Sequence, residues 1–367
     1  MNALQRLHAE QDQSPWIDFI DRQLIDSGRL ATDVSEGIRG LTSNPTIFAK
    51  AVTSGQYDGL VQKGIEAGDD SRAIFEEIAV ADVGDAADVL RSVHDGAAGA
   101  DGFASIEVEP DLAADTQGTL ERARHLWGRL GRPNIFVKIP ATPAGIPAIE
   151  AAIGEGININ VTLMFSVDVY RDVARAYMAG LRRRLAVDGD ISRIASVASF
   201  FVSRVDTKVD PMLEAIGRDP ALELRGRAAI ANAKHAYEAY DELFHGEEFA
   251  DLRKAGARVQ RCLWASTSTK NPSYRDVLYV EELIGPETVD TLPPDTITAF
   301  LDHGRIERTL DARLDEAHAT LDGLERQGIS MQRVTDELIT EGVAAFAKSY
   351  EELIAAIDAK RHALMTA

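Results

Sequence analysis

Apolar and β-branched residues fall along this chain in short runs, and most runs precede a longer stretch with helical spacing. The runs predict strands at Trp16–Phe19, Gly37–Leu41, Gly102–Val108, Ile135–Ile139, Ile157–Leu163, Ile194–Val202, Val259–Ala265 and Thr288–Leu292. Between them the spacing predicts helices at Pro45–Ala67, Ser71–Ala97, Thr116–Leu130, Ser166–Ala186 and Thr207–Ala255. The Ser166–Ala186 segment opens on a capping serine and Asp168 and closes on Arg182, Arg183 and Arg184, a polarity that suits the helix dipole. After about Asp295 the pattern is helical only, with three or more helices. The last has a stripe at Val334, Leu338, Phe346, Tyr350, Leu353 and Ile357. That stripe packs the helix on the exterior of the fold, and its final residues could also close over a mouth. Strands alternating with helices imply parallel pairing through right-handed crossovers. Eight such units in 367 residues predict an α/β chain of the (β/α)8 TIM-barrel kind with extra C-terminal helices. The expected organisation is one domain over residues 1–367, in which residues 295–367 are added helices packed on the barrel. A doubly wound sheet competes, but the glycine-rich dinucleotide fingerprint expected after an early strand is missing.

Composition narrows the partners. Apolar residues at 45% and charged residues at 27% describe a globular chain, not a disordered one. With 39 basic against 59 acidic residues the net charge is −20, which disfavours nucleic acid and anionic membrane as partners. A small anion still fits, because a few local cations dominate a pocket. One cysteine, Cys262, leaves no disulfide framework and no multi-cysteine metal site, and its place in an apolar run reads as core. There is no apolar signal segment at the start and no run long enough to span a membrane, so the expected setting is cytoplasmic. No Walker A run, H-E-x-x-H or paired metal-ligand spacing occurs, and the eight histidines are scattered. Neither a metal nor a cofactor is expected. A monomer or homodimer is the expected assembly. Trp16 and Trp264 either line the barrel mouth or pack in the core.

In a barrel of this kind, reactive groups sit where strands end and the following loops begin. The most informative residue there is Lys138, in the run NIFVKIPAT. An ammonium in a core strand costs several kcal/mol, roughly, unless a partner is found or the pKa falls. A lowered pKa leaves an amine able to form a Schiff base with a ketone, whereas a lysine at a sheet edge simply snorkels to water. Glu107, in SIEVEP, points opposite to Ile106 and Val108. If those two face the helices, Glu107 faces the interior, either as an ion-pair partner of Lys138 or as a proton-transfer group acting through a held water. Asp18 is a second acid/base candidate, against the alternative of a helix cap. Thr162 could hold the water with Glu107. Asn44, Asn160 and Ser199 could hydrogen-bond a polyol, with an Asx turn before Pro45 as the other reading of Asn44. Arg204, Ser266 and Lys270 gather after the late strands, where such barrels favour phosphate, though each cation could equally serve a surface ion pair.

The stretches SPWIDFI, GIRGLTSNPTIF, SIEVEPDLAADT, NIFVKIPATPAGI, GININVTLMFS, SFFVSRVD and LWASTSTKNPSY resemble, in order, the transaldolase family in its longer bacterial form, over Ser14 to Tyr274. The resemblance implies a metal-free class I aldolase-type barrel with Lys138 as Schiff-base lysine and Asp18 as acid/base. Glu107 and Thr162 would orient the catalytic water. Asn44, Asn160 and Ser199 would surround a three-carbon unit, and Arg204 and Ser266 would contact phosphate. It implies phosphorylated sugar substrates: a dihydroxyacetone unit passes from sedoheptulose 7-phosphate to glyceraldehyde 3-phosphate, giving erythrose 4-phosphate and fructose 6-phosphate. Three departures stand out. Ser268 occupies a place where shorter members carry arginine, so Lys270 is expected to supply the charge. Ser199-Phe200-Phe201-Val202-Ser203-Arg204 replaces the more usual S-P-F-V-G-R. Asp21 competes with Asp18 in a divergent first segment. A fructose 6-phosphate aldolase-like enzyme is the nearest rival, and Phe201 disfavours it because those aldolases tend to carry tyrosine there. A sugar-phosphate-binding protein without catalysis is a second rival, though binding alone needs none of Asp18, Glu107 and Lys138.

Overall fold

The fold is that of a computed structural model, which describes residues 1–366. Seven strands form one sheet: β1 (Gln13–Ile17), β2 (Ala104–Glu107), β3 (Ile135–Pro140), β4 (Ile159–Met164), β5 (Ser196–Phe201), β6 (Gln260–Ala265) and β7 (Thr288–Leu292). All neighbours are parallel, in the order β1-β7-β6-β5-β4-β3-β2. The chain α/β class therefore stands, with seven strands where the pattern predicts eight.

The missing run is Gly37–Leu41, which reduces to single bridges from Leu41 to Ile17 and to Ala104. The neighbouring backbone nevertheless bonds both edges of the sheet. Arg39 N and Thr42 N donate to Pro15 O and Ile17 O, each at 2.9 Å, on the β1 side. Leu41 N donates to Phe103 O at 2.9 Å, and Ser105 N to Leu41 O at 3.1 Å, on the β2 side. The sheet thus curls until its two outermost strands share this segment. Its irregularity has a steric cause. Gly37 holds φ +120°, and a Cβ on Gly40 would stand 2.4 Å from the Trp16 indole, so only glycine lets the segment pass over that ring.

Side chains alternate across the curled sheet. Ile106, Val108, Val137, Ile139, Val161, Cys262 and Trp264 face outward into the main core shared with the helices. Trp16, Phe103, Phe136, Val197, Leu263 and Val289 form a second core inside the curl. There Phe103 stacks on Phe136 at 4.2 Å, and Trp16 on Phe136 at 6.0 Å. Both tryptophans are fully buried, so neither lines a mouth. Each such ring contributes about 1.5–3 kcal/mol by leaving water.

The helices Ser71–Gly96, Thr116–Leu130 and Val167–Leu185 match the sequence pattern closely, the last capped by Ser166 Oγ, which accepts from Val169 N. Two longer expectations break at glycines. Pro45–Ala67 divides into Pro45–Thr53 and Asp58–Ala67 around Gly55, at φ +86°. Thr207–Ala255 divides into Ser203–Ile216, Asp219–Leu222, Ala228–His245 and Ala250–Lys254. The C-terminal part forms helices Pro294–His303, Leu314–Arg326 and Met331–Thr366. The last runs against the Pro45–Thr53 and Ser71–Gly96 helices. Tyr350 meets Phe75 edge-on at 5.7 Å, and Phe75 meets Phe48 at 5.5 Å.

Candidate active site

A cavity of about 470 Å³ opens at the C-terminal ends of the strands. Period-2 alternation sends Glu107 of β2 and Lys138 of β3 to the interior, and the two are paired in register. Lys138 Nζ donates to Glu107 Oε2 at 3.3 Å and to Ser43 O at 3.1 Å, and the lysine is 7% exposed. Asp18, just past β1, accepts from Thr42 Oγ1 at 2.8 Å. Burial raises the pKa of both Asp18 and Glu107, with the Lys138 ammonium pulling the other way. Two carboxyl groups that accept protons readily thus flank one amine. Thr162 of β4 lines the same cavity and makes no side-chain hydrogen bond among the described residues.

Nine of the ten sequence-selected residues line this cavity: Asp18, Asn44, Glu107, Lys138, Thr162, Ser199, Arg204, Ser266 and Lys270. Asn160 does not. It is fully buried behind the wall, donating to Ser105 Oγ at 3.2 Å and accepting from Ser199 Oγ at 2.7 Å. Its Oδ1 thereby fixes the Ser199 hydroxyl, which does line the cavity. Alternation gives the face a residue points to, but not its depth. Asn44 caps the Pro45–Thr53 helix through Oδ1, which accepts from Ile47 N at 3.2 Å, and it lines the cavity as well. The competing Asp21 caps the Arg22–Asp26 helix, accepting from Leu24 N at 2.6 Å, and is not among the lining residues.

The upper wall is cationic. Arg204 belongs to the first turn of the Ser203–Ile216 helix, not to a strand end, and lies over the Phe201 ring at 5.0 Å. Burial lowers the pKa of its guanidinium, and no carboxylate offsets this. Lys270 donates to Ser268 Oγ at 2.6 Å. Neither cation has a carboxylate within 4.0 Å among the described residues, so the ion-pair reading fails for both. Ser266 sits at φ +58°, and its hydroxyl lies 3.0 Å from Ser203 Oγ. Leu163, at φ +57° in a break of the β4–β5 register, also lines the cavity. Two non-glycine residues in the left-handed region at one rim mark a backbone shaped for a site.

Sequence reasoning missed several wall residues. Thr42 lines the cavity and the Ser43 carbonyl accepts from Lys138; both stand in the GLTSNP run beside Asn44, and that motif was the available signal. Lys50 and the last-helix residues Gly342, Ala345, Phe346 and Ser349 line the mouth with no local signal. It is the middle of the last helix, not its final residues, that reaches the mouth. Thr46 Oγ1 donates to Ser349 Oγ at 3.1 Å across that contact.

An amine and two carboxyl groups on the floor, hydroxyls and amides on the walls, and unpaired cations above suit a hydroxylated carbonyl compound with an anionic end. The family model described as Transaldolase/Fructose-6-phosphate aldolase matches residues 15–357. Transaldolase 1 of Streptomyces coelicolor is 48% identical over 362 residues, covering 97% of this chain and 94% of that protein. Transaldolase 2 of a Nostoc species is 44% identical over 364 residues, 96% of each chain, and the transaldolase of Thermobifida fusca is 48% identical over 342 residues, covering 92% and 93%. The chain belongs to the transaldolase/fructose-6-phosphate aldolase family.

Proposed function

We propose that this chain is a transaldolase that carries a dihydroxyacetone unit on Lys138 between phosphorylated sugars. The observation that carries the reading is the placement of Lys138 Nζ, 3.3 Å from Glu107 in a cavity shared with Asp18. Uncharged Lys138 attacks the C2 carbonyl of sedoheptulose 7-phosphate. Glu107, with a water held by Thr162, protonates the departing hydroxyl of the carbinolamine, which leaves as water. The resulting iminium is an electron sink. Asp18 takes the proton of the C4 hydroxyl, the C3–C4 bond breaks, and erythrose 4-phosphate leaves as the aldehyde. The bonding pair remains as an enamine on Lys138. Its carbon attacks the aldehyde of glyceraldehyde 3-phosphate while Asp18 returns the proton, and hydrolysis frees fructose 6-phosphate. Asn44, Asn160 and Ser199 surround the three-carbon unit, and Asn160 also orients the Ser199 hydroxyl. Arg204, Ser266 and Lys270 bind the phosphate, so remote contacts position the reacting carbons.

The backbone bonds of Arg39–Thr42 to both edges support counting that segment as the eighth strand of a (β/α)8 barrel. A continuous core across the strands and the last helix supports a single domain over residues 1–367, with 295–367 as added helices. The buried Cys262 suits a reducing cytoplasm, and the assembly proposed is a monomer or homodimer.

Incubation with fructose 6-phosphate and borohydride is expected to add a reduced three-carbon or sugar adduct to the peptide holding Lys138, read by mass spectrometry. Product release only when an acceptor aldehyde is present identifies transfer. Turnover without acceptor identifies an aldolase, and the absence of any adduct identifies a binding protein.

A further inference from the structure

The helix Pro45–Thr53 turns one face to the cavity: Asn44, Pro45, Thr46, Ile47 and Lys50 all line it. Thr46 and Lys50 are one turn apart, so their side chains stand together on that face. Lys50 is exposed and has no carboxylate within 4.0 Å among the described residues. This is notable in a chain with 59 acidic residues against 39 basic ones. Glu341, beside the lining residue Gly342 on the last helix, is engaged elsewhere, pairing with Lys208 at 2.6 Å. The last helix offers the cavity only Gly342, Ala345, Phe346 and Ser349, none of them charged. Among the described residues, the only carboxylates lining the cavity are Asp18 and Glu107, both beside Lys138 on the floor. Its cations besides Lys138 are Lys50, Arg204 and Lys270. Ser268, which also lines the cavity, brings a hydroxyl and no charge.

We propose that Lys50 is a third phosphate-binding cation of this site, acting from the helix after Asn44 on the anionic end of the phosphosugar, together with Arg204 and Lys270. The proposal rests on the phosphosugar reading above and adds a residue to it. A lysine contributes a mobile point charge, so it follows a phosphate whose position shifts between sugars of different length. Its contribution falls on substrate binding and not on the chemistry at Lys138.

The test compares wild type, Lys50→Met and Lys50→Arg. Calorimetry measures fructose 6-phosphate and inorganic phosphate binding, and initial rates are taken with fructose 6-phosphate and erythrose 4-phosphate. Lys50→Met is expected to weaken both ligands and to raise KM about tenfold, the scale of one hydrogen bond to a charged group, with kcat held within about twofold. Lys50→Arg is expected to restore most of the affinity. Unchanged phosphate affinity and KM in Lys50→Met overturn the proposal, as does an equal loss for unphosphorylated fructose. The binding arm separates the two failures: a wild type that binds phosphosugar without turnover sinks the transaldolase reading and leaves Lys50 still measurable. Lys50 is exposed, so the melting midpoint is expected to stay at the wild-type value, and a fall of several degrees reassigns it to structure.

Discussion

Buried charge sits at both ends of the curled sheet, on opposite terms. At the N-terminal ends of the strands, Asp101 is 3% exposed and fully bonded. Its Oδ2 accepts from Ser14 Oγ at 2.5 Å and Arg39 Nε at 2.7 Å, and its Oδ1 from Trp16 Nε1 at 3.0 Å and an Arg261 guanidinium nitrogen at 3.4 Å. Burial alone would raise its pKa, but Arg261 and Arg39 outweigh that and hold the carboxylate below its ordinary range. At the C-terminal ends, Lys138 has one carboxylate at 3.3 Å and one carbonyl, and Asp18 one hydroxyl. There burial prevails and the carboxyl pKa values rise. The larger cavity, about 730 Å³, is the N-terminal one, yet its central acid is saturated with donors. Volume therefore does not pick out the proposed reactive end. Incomplete satisfaction does: groups that have already spent their hydrogen bonds stabilise the fold, and groups that have not can exchange protons with a substrate.

Removing the central group at each end is expected to have the largest and most different effects. Lys138→Ala is expected to cut turnover by roughly four orders of magnitude or more, the scale of losing a nucleophile, with the melting midpoint preserved. Wild-type rates in a coupled assay would overturn the lysine assignment. Asp101→Ala at the other end is expected to cost about 3–5 kcal/mol of stability by stranding two guanidinium groups, with kcat per folded molecule unchanged. Urea unfolding checks the first part and rates on the folded fraction the second. A stable Asp101→Ala protein would show that the N-terminal cluster is not a structural clamp.

Much of the candidate site's layout was legible in the sequence because its residues lie on strands, where alternation assigns a face. Glu107 and Lys138 were readable from Ile106, Val108, Val137 and Ile139, which belong to the outer core. The parts that were not legible depend on tertiary placement. Lys50 and Phe346 reach the mouth only because two helices far apart in sequence lie side by side there. Asn160 is fully buried between Ser105 and Ser199, a depth that alternation along a strand does not encode. The Gly37–Leu41 run carried strand-like residues, but Gly40 has to pass close against the Trp16 ring, a contact between distant residues that no local pattern contains. The splits at Gly55 and Gly217, by contrast, were present as breaker residues inside long helical patterns.

The opposite pKa directions give opposite pH behaviour. Asp101, lowered in the native state, contributes stability above the ordinary carboxylate range that is lost as pH falls through its native value. Asp18, raised in the native state, is the reverse: the folded chain holds that proton more tightly, so stability declines as pH rises from the unfolded value to the native one. Asp18→Asn keeps a partner for Thr42 and removes the buried charge. It is expected to abolish cleavage and to raise the melting midpoint modestly at neutral pH, the gain vanishing near pH 4. Thermal melts across pH check the sign, and a lower midpoint at neutral pH would mean that Asp18 is a stabilising partner of Lys138 instead of a destabilised acid.

The smallest effect distinguishes the two aspartates of the first segment. Asp18 and Asp21 are three residues apart, and either could carry the acid/base role on sequence grounds. Their surroundings separate them: Asp18 lines the cavity, whereas Asp21 Oδ1 accepts from Leu24 N at 2.6 Å as the cap of a short helix. Removing a capping carboxylate costs about 1 kcal/mol, so Asp21→Ala is expected to lose that much in urea unfolding while kcat stays within about twofold of wild type. A large fall in kcat with unchanged stability would exchange the roles of the two residues. It would also move the proton-transfer group out of the incompletely bonded end, which is the property that distinguishes that end from the Asp101 cluster.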